Sequence, residues 1–110
     1  MKQCEIWIAD LNPVRGSEQK GFRPVIILSG NMLNTLMPVV IICPLTTKIK
    51  EYKGNIVLMP DSKNGLSEKS EAVIFQIRSV AKERMIKKIG QITQNQFIKL
   101  KQGLDDILRY

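Results

Sequence analysis

The chain has 110 residues, of which 44% are hydrophobic, and we expect residues 1–110 to form a single domain with one core. Seventeen Lys and Arg against ten Asp and Glu give a net charge of +7, which favours polyanionic partners and above all nucleic acid. The chain has no histidine, and Cys4 and Cys43 lack the spacing of a metal or redox site, so we expect both thiols in the core. We therefore predict no metal site and no cofactor.

Membrane insertion and export are not expected. The longest apolar run, residues 37–45, is far shorter than the roughly 20 residues that span a bilayer. The N-terminal sequence MKQCEIW has no signal-peptide core. We expect a soluble, cytoplasmic protein with no membrane partner.

Most of the chain has the pattern of β-strands. CEIWIADL (4–11) would place Ile6 and Ile8 on one face and Trp7 on the other, which indicates a first strand. The β-branched runs PVIILSG (24–30) and MPVVIICPL (37–45) are too continuous for strands with one wet face, so we expect both at the centre of a sheet. Two further strands are predicted in GNIVLMP (54–60) and EAVIFQIRSV (71–80).

The end of the chain changes period. A short run IGQI (89–92) is a candidate sixth strand, and apolar residues then recur at steps of three and four as in an amphipathic helix. Thr93 and Gln96 form a capping box at its start, whereas Gly103 costs the helix about 1 kcal/mol relative to Ala. The sequence predicts a mainly β fold, a small bent antiparallel sheet or barrel covered by a C-terminal helix.

The loop RGSEQKGFRP (15–24) combines three cations with two glycines. Gly16 and Gly21 allow backbone N–H groups to point at an anion, and Arg15, Lys20 and Arg23 would surround that anion with positive charge. A phosphate group fits this pattern. The alternative is an ordinary solvated hairpin loop, although Pro24 holds Arg23 extended at the mouth of a buried strand.

A second polar cluster follows the other central strand. Thr46, Thr47 and Lys48 come where the apolar run 37–45 ends. If the two central strands pair antiparallel, Arg23 and Thr46 become neighbours. The alternative is that the threonines are ordinary strand-end residues.

Three segments together resemble a known family. EIWIADLNPVRGSEQKGFRPVIILS, then ICPLTTK, then VIFQIRSV are similar, in this order and spacing, to the MazF/PemK/Kid toxin endoribonucleases of bacterial toxin–antitoxin systems. The resemblance covers nearly the whole chain. It implies the SH3-like antiparallel barrel of MazF, Kid and CcdB-like toxins, a homodimer whose interface forms the RNA groove, and metal-free, sequence-selective cleavage of single-stranded RNA. It also implies a cognate antitoxin with an acidic, disordered tail.

The same resemblance implies roles for individual residues. Arg23 matches the family's catalytic arginine, to which we assign charge stabilisation, and Thr46 matches a threonine whose hydroxyl can donate to the same oxyanion. Glu18 is the candidate base or the residue that orients Arg23. The remaining candidates are RNA-binding residues: Arg15, Gly16, Ser17, Gln19, Lys20, Thr47, Lys48, Gln76 and Arg78.

One departure from the family affects these expectations. Many relatives carry an acidic residue just before the glutamine that corresponds to Gln76, and one branch of the family uses an Arg and an Asp in this strand for proton transfer. This chain has Val73 and Phe75 at the corresponding positions, and neither side chain can transfer a proton. Phe75 is expected in the core, with stacking on a nucleobase as the alternative. Two other functions therefore stay open: a catalytically lapsed RNA- or antitoxin-binding module, and a CcdB-like toxin that targets gyrase.

Overall fold

The structure, a computed structural model, describes residues 1–12 and 21–110. These residues form seven strands in one curled, mainly antiparallel sheet with the spatial order β4-β5-β3-β2-β1-β7, and β6 pairs with β3 beside this path. The elements are β1 Glu5–Asp10, β2 Phe22–Ile27, α1 Asn31–Leu36, β3 Val39–Thr46, β4 Ile56–Leu58, β5 Ser70–Ala72, β6 Arg78–Ala81, β7 Met85–Gln91 and α2 Gln94–Arg109, with 3₁₀ turns at Ile74–Gln76 and Lys82–Arg84.

The two central strands bury both of their faces. Ile26 of β2 packs in a cluster that α2 covers with Phe97 and Leu100, whereas its neighbours Val25 and Ile27 pack in a second cluster on the opposite face. Successive side chains of a strand point to opposite faces, so a continuous apolar run is needed where both faces are covered. The prediction that residues 24–30 and 37–45 lie centrally is confirmed.

The prediction of one strand over residues 71–80 is wrong. The chain forms β5, leaves the sheet for the 3₁₀ turn Ile74–Gln76, and returns as β6. The Asn55 side chain accepts the Ile74 N–H at 2.9 Å, and this hydrogen bond replaces a sheet hydrogen bond where the chain leaves β5. Phe75 consequently lies at the surface with 48% of its area exposed, so its expected place in the core is also wrong.

Two smaller differences concern the ends of elements and the thiols. Residues 31–36, expected as a connection, form the short helix α1, and the last strand begins at Met85 and not near residue 89. Cys43 is fully buried as expected. Cys4 is only partly buried and packs against the edge of the core, so the expectation of a core position is met only in part for this residue.

The C-terminal helix begins with the predicted capping box. The Thr93 hydroxyl accepts the Gln96 N–H at 3.1 Å, and the Gln96 side chain accepts the Thr93 N–H at 2.8 Å. Gly103 is buried on the inner side of this helix, and a Cβ at this position would overlap the Gly54 carbonyl. Close approach of the two backbones therefore explains a glycine that propensity alone disfavours. Among the helices of the described residues, none is long and apolar enough to span a membrane.

Candidate functional site

The two central strands carry Arg23 and Thr46 at neighbouring ends. β2 and β3 pair antiparallel with Val25 opposite Pro44 and Ile26 opposite Cys43, and extending this register by two positions predicts that Arg23 faces Thr46. Residues directly opposite in an antiparallel pair have Cβ atoms about 5 Å apart, on the same face of the sheet. The structure confirms the antiparallel pairing on which the predicted proximity depends, while the proximity and the chemical roles of the two residues remain predictions.

Thr46 is held in a defined geometry at the end of β3. The residue is 8% exposed, and its Oγ1 accepts the Lys48 N–H at 3.1 Å. A hydroxyl that accepts a hydrogen bond keeps its own hydrogen for donation. Thr46 can therefore donate to an anion beside Arg23 while its oxygen stays fixed by the chain that follows.

The neighbouring predicted residues are distributed around this point. Lys48 is exposed just beyond Thr46. Thr47 is exposed as well and lines a cleft of about 390 Å³ together with Pro24 and Lys87. Both residues are exposed to a ligand, and two of the residues that line the cleft, Pro24 and Thr47, directly follow Arg23 and Thr46 in the chain.

Gln76 and Arg78 lie in the segment after β5. Gln76 ends the 3₁₀ turn, and Arg78 is opposite Ile42 in the pairing of β6 with β3. Ile42 and Thr46 are four residues apart on one face of β3, a separation of about 13 Å. The Arg78 Nη1 is buried and has no hydrogen-bond partner among the described residues, so this guanidinium has an unused donor.

Six of the predicted residues lie outside the described residues: Arg15, Gly16, Ser17, Glu18, Gln19 and Lys20. The chain on either side of them is well anchored. The Leu11 N–H donates to the Gly21 carbonyl at 3.0 Å, and the Gly21 N–H donates to the Asn12 side chain at 3.2 Å. Arg84 also donates to the carbonyls of Asp10 and Asn12.

Sequence reasoning missed a buried carboxylate next to the site. Glu71 is opposite Thr46 in the pairing of β3 with β5 and is 1% exposed. Its carboxylate accepts four hydrogen bonds, from the N–H groups of Lys50 at 2.6 Å, Glu51 at 2.8 Å and Tyr52 at 3.1 Å and from the Asn55 amide at 2.7 Å. A glutamate at the start of the apolar run 72–75 was the available signal, but its partners are 16 to 21 residues away.

The environment of Glu71 stabilises its ionised form. Burial by itself raises the pKa of a carboxyl group, but the hydrogen bonds from Asn55 and from the backbone of residues 50–52 outweigh burial and lower the pKa of Glu71. The carboxylate is therefore a fixed negative charge that accepts hydrogen bonds from residues 50–55 and holds this segment in place. Within the described residues no cluster of three or more His, Cys, Asp or Glu could hold a metal ion.

The curled antiparallel sheet with its C-terminal helix is the fold of MazF toxins. The structure matches MazF from Deinococcus radiodurans with a TM-score of 0.86 at 21% identity, over 100% of this chain and 97% of that chain. It also matches an endoribonuclease in complex with its cognate antitoxin from Mycobacterial species, with a TM-score of 0.78 at 20% identity over 98% and 94% of the two chains.

The sequence comparison identifies the family. The model of the PemK-like, MazF-like toxins of type II toxin–antitoxin systems matches residues 2–108. Endoribonuclease MazF9 of Mycobacterium tuberculosis is 32% identical over 109 residues, which cover 94% of this chain and 92% of the relative. The chain belongs to the MazF/PemK toxin family.

Proposed function

We propose that this protein is an endoribonuclease toxin that cleaves single-stranded RNA selectively by sequence and without a metal ion. The observation that supports the proposal is the antiparallel pairing of β2 with β3, whose register, extended by two positions, predicts that Arg23 faces Thr46 in a chain of charge +7. Side chains mounted on strands are held more precisely than side chains on loops, as catalysis requires. The 32% identity to an endoribonuclease over nearly the full length supports the same conclusion.

The proposed reaction is an internal displacement at phosphorus. The ribose 2′-oxygen attacks the adjacent phosphorus and loses its proton, the bond from phosphorus to the 5′-oxygen breaks, and that oxygen gains a proton. The products are a 2′,3′-cyclic phosphate and a 5′-hydroxyl end. Arg23 stabilises the charge on the non-bridging oxygens, and the Thr46 hydroxyl donates a hydrogen bond to the same group. Glu18 remains our candidate for the base or for the residue that orients Arg23.

The remaining parts of the proposal concern binding and assembly. Thr47, Lys48, Gln76 and Arg78 contact the RNA around the cut, together with the loop residues 15–20. We further propose that residues 1–110 are one domain, that two copies form a homodimer in the cytoplasm, and that a cognate antitoxin blocks the groove with an acidic, disordered tail. Opposite charge on this tail would compete with RNA for the same cations.

End mapping after incubation with a long RNA of mixed sequence in EDTA tests this function directly. We expect defined cut sites with cyclic phosphate ends. Arg23→Ala should abolish turnover, and Thr46→Val should lower the rate by roughly 10²–10³, the scale for one oxyanion donor. Arg109→Ala is the matched control, because Arg109 is exposed on α2 and pairs with Asp105.

Three results would contradict the proposal. Cutting by Arg23→Ala at nearly the wild-type rate would remove Arg23 from the mechanism. Cutting that stops in EDTA and returns with magnesium would show that a metal is required. RNA binding by the wild-type protein without any cutting would identify a catalytically lapsed module.

A further inference from the structure

Two aromatic rings meet at the surface on the two segments that follow β3 and β5. The side chains of Tyr52 and Phe75 are 54% and 48% exposed, and their ring centroids are 5.8 Å apart with an angle of 58° between the ring planes. The whole chain contains one Trp, two Tyr and three Phe. A chain with few aromatic residues thus places two of them together where much of their surface meets water.

The two rings are mounted on one rigid support. The Tyr52 N–H donates to the Glu71 carboxylate at 3.1 Å, which fixes the backbone that carries the first ring. The Asn55 amide donates to the same carboxylate at 2.7 Å, and its oxygen accepts the Ile74 N–H at 2.9 Å, directly before Phe75. Because Glu71 is buried, this network holds both backbones in place without a flexible surface contact.

The support also connects the rings to the proposed site of cleavage. Glu71, which holds them, is directly opposite Thr46 in the β3–β5 pairing. The segment that carries Tyr52 begins at Thr46 and also carries the exposed cations Lys48, Lys50 and Lys53. An aromatic surface flanked by lysines suits a ligand that combines flat rings with negative charge, as single-stranded nucleic acid does.

We propose that Tyr52 and Phe75 form a stacking subsite for one unpaired nucleobase of the substrate RNA, next to the cleaved phosphate. The proposal rests on the proposed function and adds a site that positions the RNA relative to Thr46. With the planes inclined, the base stacks on the face of one ring and meets the other ring at its edge, which are both favourable aromatic geometries. The subsite contacts the base through its π-face, so it fixes the position of the base more than its identity.

Kinetics of matched variants test the subsite. Tyr52→Ala and Phe75→Ala should each lower kcat/KM by about 5- to 150-fold, the range for losing one stacked base, mainly through a higher KM. Phe75→Trp should retain most of the activity because it keeps a flat ring. Tyr110→Ala is the control, since Tyr110 is 94% exposed at the end of the chain.

An abasic scan separates stacking from a general structural effect. An oligonucleotide spanning a mapped cut site is made with an abasic residue at each position in turn. One position should lower kcat/KM for the wild-type protein by the same factor as Phe75→Ala, and the same lesion should cause no further loss in Phe75→Ala. The subsite does not exist if both alanine variants keep kcat/KM within about twofold of wild type. It also does not exist if an abasic residue at every position lowers kcat/KM of the alanine variants by the same factor as it does for the wild-type protein.

A binding assay decides the case in which no cleavage is seen. Short RNAs with 2-aminopurine at successive positions should show quenched fluorescence at one position with the wild-type protein and not with Phe75→Ala. Quenching without cleavage would support the subsite and refute the proposed function, and absence of RNA binding would refute both. Alanine variants that bind RNA normally but no longer dimerise or bind an antitoxin would show that the rings contact protein, and would overturn the proposal.

Discussion

Glu71→Gln removes the charge of the buried carboxylate without changing its size. The wild-type carboxylate accepts four N–H donors, two on each oxygen. A glutamine side chain keeps one carbonyl oxygen, and its NH₂ group cannot accept a hydrogen bond, so two of the four donors lose their acceptor. Asn55 is one of the four donors, and it cannot flip its side-chain amide to offer an oxygen to the new NH₂ group, because that oxygen already accepts the Ile74 N–H.

The expected loss of stability follows from these contacts. A hydrogen bond to a charged group contributes about 1.5–3 kcal/mol, so the loss of two gives a decrease of about 3–6 kcal/mol in the free energy of unfolding. This is a large part of the roughly 5–15 kcal/mol that is typical of a whole domain. The loss should come with freer motion of residues 50–55, which the carboxylate holds.

Urea unfolding at fixed protein concentration and about pH 7 measures the effect. The control is Glu68→Gln, because Glu68 is an exposed glutamate two residues before β5. The pKa of Glu71 is lowered in the folded state, so its contribution is complete above the ordinary glutamate pKa of about 4.3 and is lost as the pH falls through the lower folded value. The gap between wild type and Glu71→Gln should therefore narrow below about pH 4. Equal midpoints for the Glu71 and Glu68 variants, or a gap that widens in acid, would refute this account.

Three further predictions concern the rest of the fold. Gly103→Ala should lower the free energy of unfolding, measured in urea, by about 1–3 kcal/mol because the new Cβ would overlap the Gly54 carbonyl, even though alanine favours helices. An unchanged or raised free energy of unfolding would contradict the close approach of the two backbones. Thr93→Ala should cost about 1 kcal/mol by the same measurement through loss of the capping bond to Gln96, and no loss would show that this cap is unimportant for stability. Burial raises the pKa of the Cys43 thiol, so Ellman's reagent at about pH 8 should label Cys43 only after unfolding. The test uses a Cys4→Ser variant because Cys4 is only partly buried, and rapid labelling of this variant in its native state would show that the strand opens readily.

Several features of the protein are determined by local sequence alone. The runs 24–30 and 37–45 are apolar without alternation, and a strand of this kind is stable only with both faces covered. The short connection of residues 31–36 favours antiparallel strands on either side of it, and this pairing of β2 with β3 is the basis for predicting that Arg23 lies near Thr46. The capping box of Thr93 and Gln96 involves residues three apart, so the sequence also contains the complete helix start.

The tertiary structure decided the features that depend on partners far along the chain. Glu71 is ionised and buried only because backbone N–H groups about 20 residues earlier turn toward it, and no local pattern encodes that approach. Phe75 is exposed because Asn55 accepts the Ile74 N–H and draws the chain out of the sheet, which the strand-like pattern of residues 71–80 does not show. Gly103 is a weak helix residue by propensity, yet it is required where the helix backbone meets Gly54. In each case the free energy comes from packing and hydrogen bonding between distant segments, which override the preference of the local sequence.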